Sequence, residues 1–172
     1  MAVAVVPKTG TFLGKTTEHL IKHSDYVVSI EPSVDLYNKV LSRLKSRKVL
    51  LLNGTSEDKL QEAIDNVTLK KFRIINFWLD GHFSSGITFQ GEQSCPLVSE
   101  LDLIEKNIES KKIIQTELNI YIDDLRLICN ASNLGNNETE GYPDLKTIFN
   151  HPLVLRSKIS IDIDIIHLQI LT

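Results

Sequence analysis

The sequence predicts an α/β protein: a doubly wound, Rossmann-like, mainly parallel sheet that finishes in an antiparallel C-terminal strand pair. Three observations carry this. Apolar runs alternate with helix-period segments along most of the chain, which is the order of a sheet wound with crossover helices. The runs are continuous rather than alternating in polarity, as in strands covered on both faces. The last sixteen residues, "SKISIDIDIIHLQILT", abandon the helix period and alternate apolar with polar side chains.

The elements follow in order. "AVAVV" (2–6) reads as the first strand and "GKTTEHLIKH" (14–23) as its crossover helix. "YVVSI" (26–30) leads into "SVDLYNKVLSRLKS" (33–46), where Ser33 is an N-cap candidate and Val34, Leu36, Tyr37, Val40, Leu41 and Leu44 fall on one stripe. "KVLLL" (48–52) precedes "SEDKLQEAID" (56–65), with Ser56 as the expected cap. "RIINFWL" (73–79), a long Gly/Ser/Thr segment, and "PLVSELDLIEKNIES" (96–110) form the fourth strand, loop and helix. That loop exceeds the roughly 2–6 residues usual for a strand-to-helix connection, which suits a loop with a functional role. "ELNIYI" (117–122) is the fifth strand, and "DLKTIFN" (144–150) the helix after a polar stretch at 130–143. The C-terminal run is long enough for two strands turning near Asp164. The whole of 1–172 is expected to be one domain.

With 172 residues, 42% hydrophobic and 24% charged, the chain has the balance of a globular protein with a real core. A net charge of −3 and scattered Lys and Arg give no basic footprint for nucleic acid. No apolar run approaches a membrane span of about 20 residues. Cys95 and Cys129 form no CxxC pattern and suit a reducing cytoplasm. The expected partner is a small-molecule or sugar substrate, with a homo-oligomer compatible with the sequence.

In such a sheet ligands bind beyond the carboxyl ends of the strands. The segment after the first strand, "KTGTFLGKTT", carries two glycines four apart, interleaved with hydroxyls, at a helix start. That suits close backbone approach to a ligand and equally suits ordinary capping. The P-loop pattern is absent. Glu31 stands at the tip of the second strand, where a carboxylate holds ribose hydroxyls or simply precedes a proline turn. Gly54 and Thr55 follow the third strand, as an adenine pocket or a plain turn. Asp80 and His82 follow the fourth, and Asp123 and Asp124 the fifth. Three carboxylates at neighbouring strand ends can hold a hard cation such as Mg2+, or one can cap the next segment while another is solvated.

Taken together, "TGTFLGKTTEHL", "VVSIEPS", "NGTSEDKL", "FWLDGHFSSGIT", "IYIDDLRL" and the final strand pair resemble the class I S-adenosylmethionine-dependent methyltransferases across nearly the whole chain. The pattern is closest to the metal-dependent sugar O-methyltransferases of antibiotic tailoring pathways. The resemblance implies S-adenosylmethionine as cofactor, with Gly10, Thr11, Gly14 and Thr16 around its methionine part. It places Glu31 on the ribose and Thr55 and Ser56 near adenine. It further implies that Asp80, Asp123 and Asp124 hold Mg2+, that Asp80 faces the reacting end, and that His82 is the base. The implied activity is O-methylation of a small molecule or a sugar or glycan precursor. The alternative is a catalytically degenerate binding or assembly module on the same fold. Two departures bear on that choice. Lys8 stands where the family carries an acid that helps hold the cofactor's ammonium, and its charge is unfavourable beside that ligand unless it turns to solvent. The resemblance also starts at the first strand, so the N-terminal helices that cover the sheet in relatives have no counterpart in this sequence.

Overall fold

Seven strands form one sheet in the order β3-β2-β1-β4-β5-β7-β6. The computed structural model describes residues 4–80, 95–114, 117–131 and 141–171. Five parallel strands make the centre: β1 (Ala4–Lys8), β2 (Tyr26–Glu31), β3 (Val49–Asn53), β4 (Ile74–Leu79) and β5 (Glu117–Ile122). β7 (Ile165–Leu171) runs antiparallel beside β5, and β6 (Lys158–Asp162) forms the outer edge beyond it. The predicted class and the antiparallel finish are both present.

The order reverses between β1 and β4. The chain moves outward from β1 to β3, then returns to the far side of β1 for β4. The carboxyl ends of β1 and β4 therefore flank the crevice where open α/β sheets receive ligands. The β1–β4 ladder pairs Ala4 and Val5, skips Val6 and Pro7, and resumes at Lys8 opposite Trp78. Pro7 has no N–H to donate, so a break there follows from its chemistry.

The helices are α1 (Lys15–His23), α2 (Val34–Arg43), α3 (Ser56–Leu69), α4 (Leu97–Glu109), α5 (Leu125–Asn130), α6 (Leu145–Phe149) and α7 (Pro152–Leu155). Ser33 caps α2 through Leu36 N–H, as its residue type predicts. Thr55, not Ser56, caps α3 by accepting from Asp58 N–H, so the expected cap moves one residue back. The α2 stripe is narrower than its periodicity suggests. Leu36 and Val40 are buried, whereas Val34 and Leu41 are exposed, because α2 covers an edge of the sheet near β3. The short helices α5 and α7 are not legible in the sequence, since one turn leaves no period to read. The core runs on both sides of the sheet, through Ile30, Leu60, Ile64, Ile75 and Phe77 to Leu101, Ile104, Ile120 and Leu168.

The C-terminal hairpin turns at Ile163 and Asp164. Ile163 has a positive φ of 52° and is exposed. The apolar–polar alternation that runs through Ile159, Ile161, Ile163 and Ile165 is broken there, because the turn reverses the chain. No described helix is long and apolar enough to cross a membrane.

Candidate active site at the sheet crevice

The β1 strand ends in Lys8, and its long side chain folds back under the loop that follows. Lys8 is 1% exposed. Its Nζ donates to the carbonyls of Thr9 (2.9 Å) and Gly10 (2.6 Å) and lies 3.2 Å from Asp80 Oδ2. Lys8 therefore does not turn to solvent, and its charge stays at the crevice. An ammonium has three donors, and the loop carbonyls and Asp80 receive them. Asp80 follows β4 directly, and its N–H donates to Thr9 Oγ1 (3.0 Å). The ends of β1 and β4 are thus joined twice, by a charge pair and by a hydroxyl.

The glycine loop is held from its other side by β2. Thr11 N–H donates to the Ile30 carbonyl (3.0 Å), and Thr11 Oγ1 bonds the same carbonyl (2.9 Å) and Ser29 Oγ (2.6 Å). Glu31 Oε2 accepts from Phe12 N–H (2.7 Å), and Oε1 accepts from Ser33 N–H (3.0 Å). Glu31 is 4% exposed, so it is not simply a solvated acid ahead of the proline turn. Burial pushes its carboxyl above the usual range, while the two backbone donors and Lys8 pull it back down.

Gly10 and Gly14 both take positive φ, 67° and 76°. Gly14 precedes α1, and a Cβ there would lie 2.9 Å from Arg43 Nη2 and 3.0 Å from Val40 Cγ1. Its smallness serves the packing of α1 against α2. Thr16 lies half-buried in the first turn of α1. Thr55 and Ser56 sit across β2 at the start of α3, where Ser56 is buried. Gly54 N–H and Asn53 Nδ2 both donate to the Glu31 carbonyl. The tips of β1, β2 and β3 form one bonded network with Glu31 at its centre.

Asp123 and Asp124 follow β5. Asp123 N–H donates to the Leu79 carbonyl (3.1 Å), which sets it next to Asp80's strand. Burial, with Asp80 and Asp124 nearby, raises the Asp123 carboxyl above its usual range. Asp124 takes a left-handed φ of 63° at the head of α5, and its Oδ1 lies 2.5 Å from Arg126 Nη2. Arg126 also pairs with Asp164 in the β6–β7 turn. Candidate ligand atoms of Asp123, Asp124 and Asp164 lie within 4.8 Å of one another. Among the described residues that cluster does not include Asp80. A cation there would compete with the Arg126 guanidinium for two of the three carboxylates. His82, the expected base, lies outside the described residues.

One acid is missing from the sequence-based set. Glu100, in the first turn of α4, is 3% exposed, and its Oε1 has no hydrogen-bond partner. Burial pushes its carboxyl up to about 7, with Ser56 and Thr9 hydroxyls acting against that and Glu57 and Asp80 adding to it. Glu100 lines a small cleft with Asp80, Asp123, Cys95 and Tyr142. Its place could have been found: Leu97, Glu100, Leu101 and Ile104 follow the i, i+3, i+4, i+7 spacing of a buried stripe, and Glu100 is the acid within it. The Cys95 thiol is pushed up to about 12 by burial, so it has no thiolate to act as a nucleophile at neutral pH.

One buried ammonium among Glu31, Asp80 and Asp123 leaves the crevice net negative. It can neutralise a cationic ligand, hold a hydroxyl by a carboxylate, and accept a proton.

No family model and no curated protein matches the chain. Solved structures do. A Staphylococcus aureus protein assigned as a caffeoyl-CoA O-methyltransferase superposes with a TM-score of 0.61 at 14% identity, over 99% of this chain and 77% of that one. The Methanococcus jannaschii fibrillarin pre-rRNA processing protein gives 0.54 at 16% identity, over 98% and 66%. A chain of a fibrillarin/Nop5p complex gives 0.53 at 14% identity, over 98% and 71%. At such identities the likeness shows the fold.

Proposed function

With a Rossmann-like methyltransferase fold as the premise, we propose that this chain is an S-adenosylmethionine-dependent methyltransferase acting on an oxygen of a small molecule or of a sugar or glycan precursor. The observation that carries the reading is the glycine loop clamped between Glu31 and the Lys8–Asp80 pair at the reversal of strand order. The O-methyltransferase assignment of the Staphylococcus aureus protein supports it.

The residues fit such a cofactor. Each Glu31 oxygen accepts one backbone N–H and keeps further acceptor capacity for ribose hydroxyls. The surplus of carboxylates over Lys8 suits a ligand that carries a sulfonium and an ammonium. Gly10, Thr11, Gly14 and Thr16 would line its methionine part, and Thr55 and Ser56 its adenine. When bound, the cofactor supplies an electrophilic methyl group. The chain's own part is to orient the acceptor and take its proton. Asp80 borders the crevice for this, and His82 is the proposed base. A divalent ion on Asp80, Asp123 and Asp124 would help polarise an acceptor hydroxyl, and it would have to share Asp124 with Arg126.

One observation favours a second reading, a binding module without catalysis. Lys8 Nζ already occupies the Gly10 carbonyl, and its charge opposes a cofactor ammonium. Calorimetric titration with S-adenosylmethionine and S-adenosylhomocysteine, with and without Mg2+, separates the two. Saturable binding is expected, and methylation of a hydroxylated acceptor panel should follow. No heat and no thermal shift at millimolar ligand ends the methyltransferase reading. Binding without turnover leaves the module.

A further inference from the structure

The outer edge of the sheet is built to meet itself. Among the described residues β6 is hydrogen-bonded on one side only, to β7, and all five of its residues are exposed. Ile159 is 39% exposed and Ile161 55%, on the same face of the strand. An exposed edge with apolar side chains is a template for another strand, and proteins usually blunt it. Here the strand reads Lys158-Ile159-Ser160-Ile161-Asp162: the same residue classes from either end, with the charges inverted. Antiparallel pairing with an identical strand about a two-fold axis at Ser160 places Lys158 opposite Asp162 of the second copy at both ends. It places Ile159 opposite Ile161 twice. A slip of two residues loses both charge pairs, and a parallel, in-register pairing sets like charges side by side.

We propose that β6 is a homodimer interface, in which two copies of this chain pair antiparallel through β6 into one continuous sheet. Opposite charges and apolar pairs directly across strands both stabilise such a pairing, and like charges across it destabilise it. The interface lies at the far edge of the sheet from β1 and β2 and does not depend on the nature of the ligand in the crevice.

Sedimentation equilibrium across a wide concentration range tests this on the full chain. A reversible monomer–dimer equilibrium is expected. Lys158→Asp alone and Asp162→Lys alone should each weaken it by about tenfold or more, because two attractions become two repulsions. The double variant should recover to within about threefold of the original, since the pairs are re-formed with exchanged signs. In a background with Cys95 and Cys129 changed to Ser, Ser160→Cys should oxidise to a disulfide-linked dimer. Facing antiparallel positions lie about 4.5–5.5 Å apart between Cα atoms, within disulfide reach. Lys158→Cys, two residues from the axis and so four residues out of register with its own copy, should not. A monomer at every concentration overturns the proposal. So does a dimer that ignores the single charge reversals, that the double variant fails to restore, or that cross-links equally well through position 158.

Discussion

Lys8 Nζ lies 3.2 Å from Asp80 Oδ2, and the pair joins the ends of the two strands between which the order of the sheet reverses. Lys8 is buried and Asp80 is about a quarter exposed on its side chain. Lys8 also donates to two carbonyls of the glycine loop. It therefore acts as an internal counter-ion that shapes the loop, in a place where a surface lysine would do neither.

Replacing Lys8 by methionine removes that ammonium while keeping most of the volume. A loss of about 2–4 kcal/mol is expected, from the range for breaking a buried ion pair, reduced because Asp80 is partly in water. Lys8→Glu should be less stable still, because it adds a carboxylate beside Asp80, Glu31 and Asp123. Urea unfolding of the two variants without ligand checks the order, and variants as stable as the parent would overturn this structural role for Lys8.

Glu31 accepts from Phe12 and Ser33 N–H groups inside the protein. Glu31→Ala leaves both part-buried donors without their acceptor, at a cost of about 1–2 kcal/mol in stability. A strand-tip acid in water would cost almost nothing. Cofactor affinity should fall in the same variant, and comparing its melting temperature with and without S-adenosylhomocysteine separates the two losses.

Glu100 gives the fold a pH dependence. Its folded pKa of about 7 lies above the ordinary range for glutamate. Its contribution is then complete in acid, below about 4.3, and is lost as pH rises through about 7. Glu100→Gln keeps the shape without the ionisation. It should be more stable than the parent at pH 8, by about 1–3 kcal/mol, and nearly equal to it at pH 4. Denaturant midpoints at the two pH values decide it, and an equal difference at both would remove ionisation as the cause.

Gly14 has φ 76° and no room for a side chain between Val40 and Arg43. Gly14→Ala should cost about 1–2 kcal/mol from the left-handed backbone alone, with more from the contact with Val40. Arg43→Ala in the same chain should recover only part of it, since the Val40 contact and the backbone cost remain. Thermal melts of the three variants provide the check.

The sequence by itself determined the class of fold, the five parallel strands, the antiparallel finish and the positions that follow each strand end. Those features live in local periodicity: continuous apolar runs for covered strands, a 3.6-residue stripe for α2 and α4, a two-residue alternation at the C-terminus. It also placed Glu31 and Asp80 at strand tips, because a strand end is a local event. Tertiary structure alone decided what those side chains do. Lys8 turns inward because Asp80, 72 residues away, and two loop carbonyls can satisfy its three donors together. Glu31 can be buried because the Phe12 and Ser33 N–H groups each donate to one of its oxygens. Asp124 is claimed by Arg126, which the β6–β7 turn holds through Asp164. Glu100 becomes a protonatable acid near neutral pH only when α4 presses it beneath Ser56 and Thr9. Charge and polarity can be read one residue at a time, but the partner that decides the energy of a buried charge is brought to it by the fold.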